Sequence, residues 1–360
     1  MARLTTPLCD ILGIDLPVIQ APMAGTTTPE LVAAVCDAGA LGSFGFAYTQ
    51  PEAMHRDVEL VRARTSAPFN LNLFLSNDAA PVAASAQQPA LDAVAPYFRE
   101  LGLSAPLAVK PPYSPDHNAQ LEAVEAIKPA VFTFHFGDTT AAPVAAMRAK
   151  GIKVGGSVTC VAEAKHLEAL GVDFIIAQGA EAGGHRGTYL RDPYQAMTGT
   201  LALVRLIVKA VRVPVVAAGG IMDGAGIAAV LALGAQAAQL GTAFVPCKES
   251  GASAAHKQAI LAAQEDDTLI TEKFSGKPAR GLVNRYMREM RDRPILPFPA
   301  QNSLTGPLRA AAAKAGKHEF LSFWAGQAAP LARDLAAGDL ISTLREETIE
   351  ALDRIRHLQS

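Results

Sequence analysis

Cysteine is scarce and scattered. Cys9, Cys36, Cys160 and Cys247 are the four in 360 residues, and no two stand in a CxxC spacing. That pattern excludes a disulfide framework and a thiolate zinc site, and it suits buried free thiols in a reducing compartment. Charge of one sign is also missing: 32 Lys and Arg face 34 Asp and Glu, a net charge of -2. Such a balance leaves no electropositive footprint for nucleic acid and no basic tract for an anionic membrane. There is no HExxH, no clustered Cys/His and no paired carboxylate suited to a metal, so no metal is expected. No GxGxxG fingerprint follows the first strand, which argues against a Rossmann-bound nicotinamide.

Long hydrophobic runs are few. The N-terminus, MARLTTPLCDILGIDLP, is interrupted by Pro7, Asp10 and Asp15 and lacks a signal-peptide core. One uncharged stretch, 225–247, exceeds the length of a membrane span. Gly226, Gly234, Gly241, Gln236, Gln239 and Pro246 punctuate it, so it reads as a buried helix followed by a buried strand. The expectation is a soluble cytoplasmic protein, a monomer or homodimer, with small-molecule partners and neither nucleic acid nor membrane.

What the chain does contain is a repeated phrase: a helical stretch, a glycine, then a short apolar strand. It recurs as CDAGALGSFGF, RAKGIKVGGSV, EALGVDFIIAQ and LALGAQAAQLG. Gly39, Gly151, Gly171 and Gly234 sit where a helix C-cap needs a left-handed residue. Strand candidates begin near Val18, Leu41, Phe69, Val131, Lys153, Asp173, Pro214 and Ala237. Eight strands alternating with helices predict an α/β fold, a (β/α)8 TIM barrel, in preference to an open doubly wound sheet. Residues 1–247 form that barrel, interrupted by an insertion rich in Ala and Pro at 76–114. Residues 248–318 are expected to form a smaller, mainly helical second domain or lid over the barrel mouth. Residues 319–360 return to the barrel, with a last helix near 340–357 packing on its outside.

Barrel enzymes carry their chemistry at the C-terminal ends of the strands. Those ends read QAPMAG, NLNL, FHFG, AQGAEAGGHRG, AAGGI and QLGT. Gly219 and Gly220 after the seventh strand, with Gly241 and Thr242 after the eighth, let backbone N–H groups touch a phosphate. The bland alternative is glycine required only for tight turns. A phosphate-bearing cofactor there is FMN more readily than a nicotinamide. His185 follows Gly183 and Gly184 at the mouth, where an imidazole can trade a proton near neutral pH; a solvated turn histidine is the alternative.

Together these segments resemble the class I nitronate monooxygenases, formerly called 2-nitropropane dioxygenases. The matching pieces are QAPMAG at 20–25, NLNLF at 70–74, FTFHFG at 132–137, AQGAEAGGHRG at 177–187, AAGGI at 217–221, QLGTAF at 239–244 and FLSFWAGQAA at 320–329. The likeness spans nearly the whole chain, and its most restrictive parts are the Gly-Gly-His loop and the WAGQ segment. It implies that Asn72, Gln178, Gly183, Gly220 and the stretch Gln239, Leu240, Gly241 and Thr242 hold FMN, with the Met23 backbone against the flavin ring. It implies that His185 is the catalytic base. The activity implied is oxidation of an alkyl nitronate, propionate 3-nitronate above all, by O2 to a carbonyl compound and nitrite, without NAD(P)H.

Three further readings stay open at this level. His135 points to the mouth as a second polar contact or is a hydrogen-bonded core histidine. Tyr113 is similar to a family tyrosine near the substrate, or is a surface aromatic. Arg309, Lys314 and Lys317 supply a positive rim for an anion or a solvated helix face, and Trp324 packs the WAGQ segment. The nearest rival function is an NAD(P)H-dependent FMN barrel reductase of the enoyl-acyl-carrier-protein or quinone type. A barrel that binds a phosphorylated ligand without redox chemistry is a third.

Overall fold

The computed structural model describes residues 4–75, 80–137 and 139–357. Eight parallel strands make its centre: β1 (Val18–Gln20), β2 (Gly42–Gly45), β3 (Phe69–Phe74), β4 (Val131–His135), β5 (Lys153–Val158), β6 (Phe174–Gln178), β8 (Val215–Ala218) and β9 (Ala237–Leu240). A two-residue strand, β7 (Gly184–His185), lies outside this ring. Pairing runs from β2 through β9 to β1, and a parallel Ile19–Leu41 bridge closes β1 on β2. The expected (β/α)8 barrel is the observed one.

Helices α1 (Pro7–Leu12), α2 (Pro29–Asp37), α3 (Pro51–Arg62), α4 (Ala84–Glu100), α5 (His117–Ile127), α6 (Ala141–Ala149), α7 (Val161–Leu170), α8 (Thr200–Ala210) and α9 (Gly224–Ala232) precede or alternate with these strands. Beyond β9 come α10 (Ala254–Leu261), α11 (Arg285–Glu289), α12 (Ala300–Lys314) and α13 (Ala337–His357). The barrel's eighth helix is α13, which packs against α9 and α2. Gly224 allows that contact, since a Cβ there would stand 2.2 Å from the Thr348 backbone nitrogen. Leu340, Ile341 and Leu344 of α13 are buried in the core between strands and helices.

Strand alternation sorts the barrel interior. In β3, Leu71 and Leu73 join the core under the helices. Asn70 and Asn72 point inward instead, and both donate to Thr133 Oγ1 on β4 at 2.9 Å. The barrel floor is apolar: Val131, Phe174, Val216 and Ala237 pack on Leu8, Cys9 and Leu12 of α1. Gly155 makes room there, because a Cβ would approach the Phe174 ring to 2.4 Å. The interior thus grades from a dry floor to polar amides and hydroxyls towards the mouth.

The segment between β9 and α13 is less helical than its composition suggested. It also holds β10 (Thr268–Thr271) and β11 (Ala279–Leu282), which form an antiparallel sheet with β7 in the order β10-β11-β7. The insertion after β3 meets this segment. Leu91, Val94 and Phe98 of α4 share one apolar cluster with Tyr286, Met290, Leu304 and Leu308 of α11, α12 and the turn between them. Two stretches that read as separate irregularities therefore bury one another's apolar faces. Residues 76–79, where the insertion begins, lie outside the described residues. Among the described residues no helix is long and apolar enough to cross a membrane, and no group of His, Cys, Asp and Glu stands ready for a metal ion.

Candidate active site

A cavity of about 740 Å³ opens at the C-terminal mouth of the barrel. One wall is made of turns. Gly219 and Gly220, after β8, have φ of 113° and 72°, a region that L side chains rarely enter. Their conformation is braced from the side: the Glu181 carboxylate accepts from Thr200 N at 2.9 Å and Thr200 Oγ1 at 2.8 Å, and that hydroxyl lies 2.9 Å from Gly219 O. Gly241 and Thr242, after β9, complete the wall beside Met23. Gln239 Oε1 is buried there without a hydrogen-bond partner.

The WAGQ segment ties this wall together. Gly326 N donates to Thr242 Oγ1 at 2.9 Å, and Gln327 N donates to Glu181 O at 2.9 Å. Trp324 bridges to Gly281 of β11. The close approach needs a glycine opposite: a Cβ on Gly183 would stand 2.6 Å from Ala325 C and 2.7 Å from Gly326 N. Here lies the physical reason why the Gly-Gly-His loop and the WAGQ segment occur in one chain.

The other wall carries His185. Its loop is an edge strand, with His185 opposite Ala279 and Gly184 opposite Arg280. Gln178 folds the loop over: Nε2 donates to His185 O at 2.8 Å, and Oε1 accepts from Gly187 N at 2.8 Å. Buried Arg186 donates to Gly179 O at 2.6 Å and Ala196 O at 2.9 Å, which pins the next residue. Around the His185 ring stand Phe74 at 5.5 Å, Trp324 at 5.7 Å, Phe136 at 6.0 Å and Phe298 at 6.2 Å between ring centres. Phe136 holds a positive φ of 61°, a local strain of the sort found beside functional groups.

This enclosure sets the charge of the imidazole. Desolvation, with the neighbouring His135 ring and the Lys277 and Arg309 positive charges adding to it, pushes the His185 pKa down to about 3. The ring is neutral at pH 7 and able to accept a proton. Nε2 lies 2.9 Å from Ser275 Oγ, which is 3.1 Å from Lys277 O. When the Ser275 proton is directed to Lys277 O, Oγ accepts from Nε2–H, and Nδ1 is left with the lone pair. His135 Nε2 meets His185 O at 3.1 Å, and since a carbonyl only accepts, Nε2 carries the proton. Burial holds this second ring neutral too, at a pKa of about 4.

The structure brings together most of the residues singled out from sequence. Met23, Asn72, His135, Gln178, Gly183, His185, Gly219, Gly220, Gln239, Gly241 and Thr242 all line the one cavity. Two stand apart. The Leu240 side chain is buried in the core, and only its carbonyl faces the turn, accepting from Ala21 N at 2.8 Å. Tyr113 is neither surface nor cavity: it packs in the α4–α12 cluster, and its hydroxyl accepts from Val82 N at 3.2 Å. A tyrosine in an apolar cluster needs one polar partner for its hydroxyl, and the neighbouring backbone provides it. The supposed positive rim divides as well: Arg309 lines the cavity, whereas Lys317 lies near Glu100 at 3.5 Å on the outside. Trp324 both packs its segment and lines the cavity.

Sequence reasoning did not single out Tyr48, Glu181, Ser275 and Asn302. Tyr48, Ser275 and Asn302 line the cavity from the loop after β2, the loop before β11 and α12, elements whose meeting no local pattern announces.

The family model described as nitronate monooxygenase matches residues 5–347. A nitronate monooxygenase of Paraburkholderia phytofirmans is 44% identical over 355 residues, covering 97% of this chain and 96% of the relative. One from Pseudomonas aeruginosa is 43% identical over 342 residues, covering 94% and 97%. Among solved structures, a nitroalkane oxidase from Streptomyces ansochromogenes superposes with a TM-score of 0.90 at 39% identity, over 97% of this chain and 100% of that one. FabK from Thermotoga maritima superposes less closely, with a TM-score of 0.77 at 28% identity and 99% of each chain covered. A neutral imidazole and a braced set of glycine turns on one cavity, in a chain matched from end to end, make this an oxidoreductase that belongs to the nitronate monooxygenase family.

Proposed function

We propose that the chain is a class I, FMN-dependent enzyme that converts an alkyl nitronate and O2 into a carbonyl compound and nitrite without reduced nicotinamide. The residues present suit the cofactor. Gly219, Gly220, Gly241 and Thr242 offer an anion-tolerant backbone for the phosphate. The partnerless Gln239 Oε1 is an acceptor that fits a flavin ring N–H, and Asn72 adds an amide on the same cavity. Bound FMN would supply the electron transfer and the reaction with O2.

The protein's own part is proton and charge management. With a neutral nitroalkane, His185 Nδ1 takes the α-proton and the imidazolium then faces the nitronate it has made. With a substrate that arrives as the nitronate, no abstraction is needed; the Ser275 hydroxyl then turns to donate to Nε2, and the tautomer with the proton on Nδ1 orients the nitro oxygens by donating to them. Phe74, Phe136, Phe298 and Trp324 keep water away from that step. Residues 248–318 act as the lid that supplies Ser275 and Asn302 to the mouth. The working setting is the cytoplasm, as monomer or homodimer.

The neutral His185 ring, enclosed by aromatics and facing the same cavity as the glycine turns, is the observation that carries this reading. Its test is nitrite release from propionate 3-nitronate in air with no nicotinamide present. Rapid nitrite supports it. The likeness to FabK keeps a nicotinamide-dependent reductase as the second reading. Rapid anaerobic bleaching of the flavin by NADH, with no nitrite, would establish that one instead.

A further inference from the structure

Glu163 is a buried carboxylate that the chemistry above leaves unused. It sits in the first turn of α7 and is fully enclosed. Among the described residues no Lys or Arg forms an ion pair with it. Five donors converge on it instead. Oε2 accepts from Thr159 N at 2.6 Å and Thr159 Oγ1 at 2.9 Å, reaching back over the start of its own helix. Oε1 accepts from Thr188 Oγ1 at 2.8 Å, Tyr189 N at 2.9 Å and Leu190 N at 3.2 Å. The Glu163 carbonyl adds to the hold by accepting from the Tyr189 hydroxyl at 3.2 Å. A buried carboxylate is costly unless it is well bonded, and this one is bonded to the stretch just beyond His185.

That stretch is fitted tightly to the end of β4. The Tyr189 ring lies against Gly137, where a Cβ would stand 2.6 Å from its Cε1. Gly187 lies against His135, where a Cβ would stand 2.7 Å from the imidazole Cε1. Between them is Phe136, whose ring stands beside His185, and His135 Nε2–H bonds the His185 carbonyl. Gln178 fixes the near end of the loop, and Glu163 fixes the far end. We propose that Glu163 is a positioning residue for proton abstraction. From outside the cavity lining it holds residues 186–190 so that the His185 imidazole meets the α-carbon of a neutral nitroalkane. This deepens the nitronate reading above and rests on it. The two oxygens make the role specific to a carboxylate, because each accepts from at least one backbone N–H, which cannot turn round to accept. A glutamine would set its NH2 against Thr159 N–H in one rotamer and against Tyr189 and Leu190 N–H in the other.

Two forms of one substrate decide the matter: 1-nitropropane, which must lose a proton, and propyl 1-nitronate, which has lost it already. Both are assayed by nitrite release from the holoenzyme. Glu163→Gln should lower kcat for 1-nitropropane by roughly 10- to 100-fold, the scale of a misplaced catalytic group, with KM little changed. Propyl 1-nitronate should slow far less. A merely looser fold would reduce the active fraction and slow both alike. Thr188→Val removes one of the five donors and keeps the side-chain shape, so it should give a smaller change of the same kind. A second readout needs no turnover: nitrogen-15 NMR of the histidine-labelled, oxygen-free holoenzyme, with the His185 signals identified by their loss in His185→Asn. Those signals should shift and broaden in both variants, and they decide alone if the native chain turns over only the nitronate. Both substrates slowed alike, with native His185 signals, would overturn the role. If the signals move while neither substrate yields nitrite from the native chain, the positioning stands and the nitronate reading fails. If the native chain releases nitrite and both variants match it in rate and spectrum, the reading stands and the role of Glu163 fails.

Discussion

The two walls of the cavity are built from different material. The side after β8 and β9 is backbone: Gly219, Gly220, Gly241 and the extended WAGQ segment, with almost no side chain to spare. The side around His185 is aromatic and dry, and its polar atoms are paired among themselves through Gln178, His135 and Ser275. One wall makes room for a large anionic ligand by omitting Cβ atoms. The other holds one proton acceptor neutral by excluding water. Binding and proton transfer are thereby separated in space, and substitutions should affect them separately.

The largest effect should come from His185. Replacing it by Asn is expected to slow turnover of a neutral nitroalkane by about 10²-fold or more, the usual scale for a lost general base. The flavin-to-protein ratio should stay at its native value, and a colourless variant would show that the two walls are not independent. The same turnover should hold level as pH falls through 6.5, where an ordinary imidazole would protonate, because this ring's pKa lies near 3. An acid limb centred at 6.5 would contradict neutral burial.

On the opposite wall, Gly183→Ala should break packing rather than chemistry. The added Cβ meets backbone atoms of Ala325 and Gly326, which cannot rotate away. The expected cost is about 1–3 kcal/mol, the range for overpacking a tight site, read as a lower Tm and weaker flavin retention. Thr242→Val should give a milder form of the same result by cutting the bond to Gly326 N. Native flavin content in both variants would remove this seam from the binding wall.

Buried neutral histidines also tie stability to pH. His135, His185 and His256 all have pKa values pushed down to about 4, 3 and 4, chiefly by desolvation. The unfolded chain binds these protons near pH 6.5 and the folded chain does not, so stability rises with pH across that interval. Their contribution is complete above pH 6.5 and is lost progressively down to about pH 4. A Tm that stays flat over this window would count against the enclosure. The smallest effect belongs to Ser275→Ala, which frees the His185 tautomer without removing the base. A several-fold fall in kcat for neutral nitroalkanes, with KM little changed, is the expected result.

Much of this molecule was legible in the chain because its signals are local. All eight barrel strands start within one residue of the starts read from their apolar runs, and four of those runs follow a helix-capping glycine. Positive φ is a property of single positions, so Gly39, Gly151, Gly171 and Gly234 announce their turns from sequence. The mouth residues followed from strand ends for the same reason. Tyr113 did not follow: a tyrosine near Pro-Pro is compatible with surface, cavity or core, and only the meeting of α4 with α12 places it. Nor did the division between Arg309 and Lys317, which share one basic stretch yet face opposite ways.

The sequence by itself determined the barrel, the glycine turns, the mouth position of His185 and the family to which all of these belong. Each is encoded in runs of ten residues or fewer, where periodicity and backbone freedom act directly. Tertiary structure alone decided that the Gly-Gly-His loop is an edge strand on β11, that Ser275 meets its imidazole, and that Arg309 and Tyr48 face one cavity. Those groupings bring together residues 90 to 261 positions apart. No local preference reaches that far; only the burial of shared apolar faces brings such segments together.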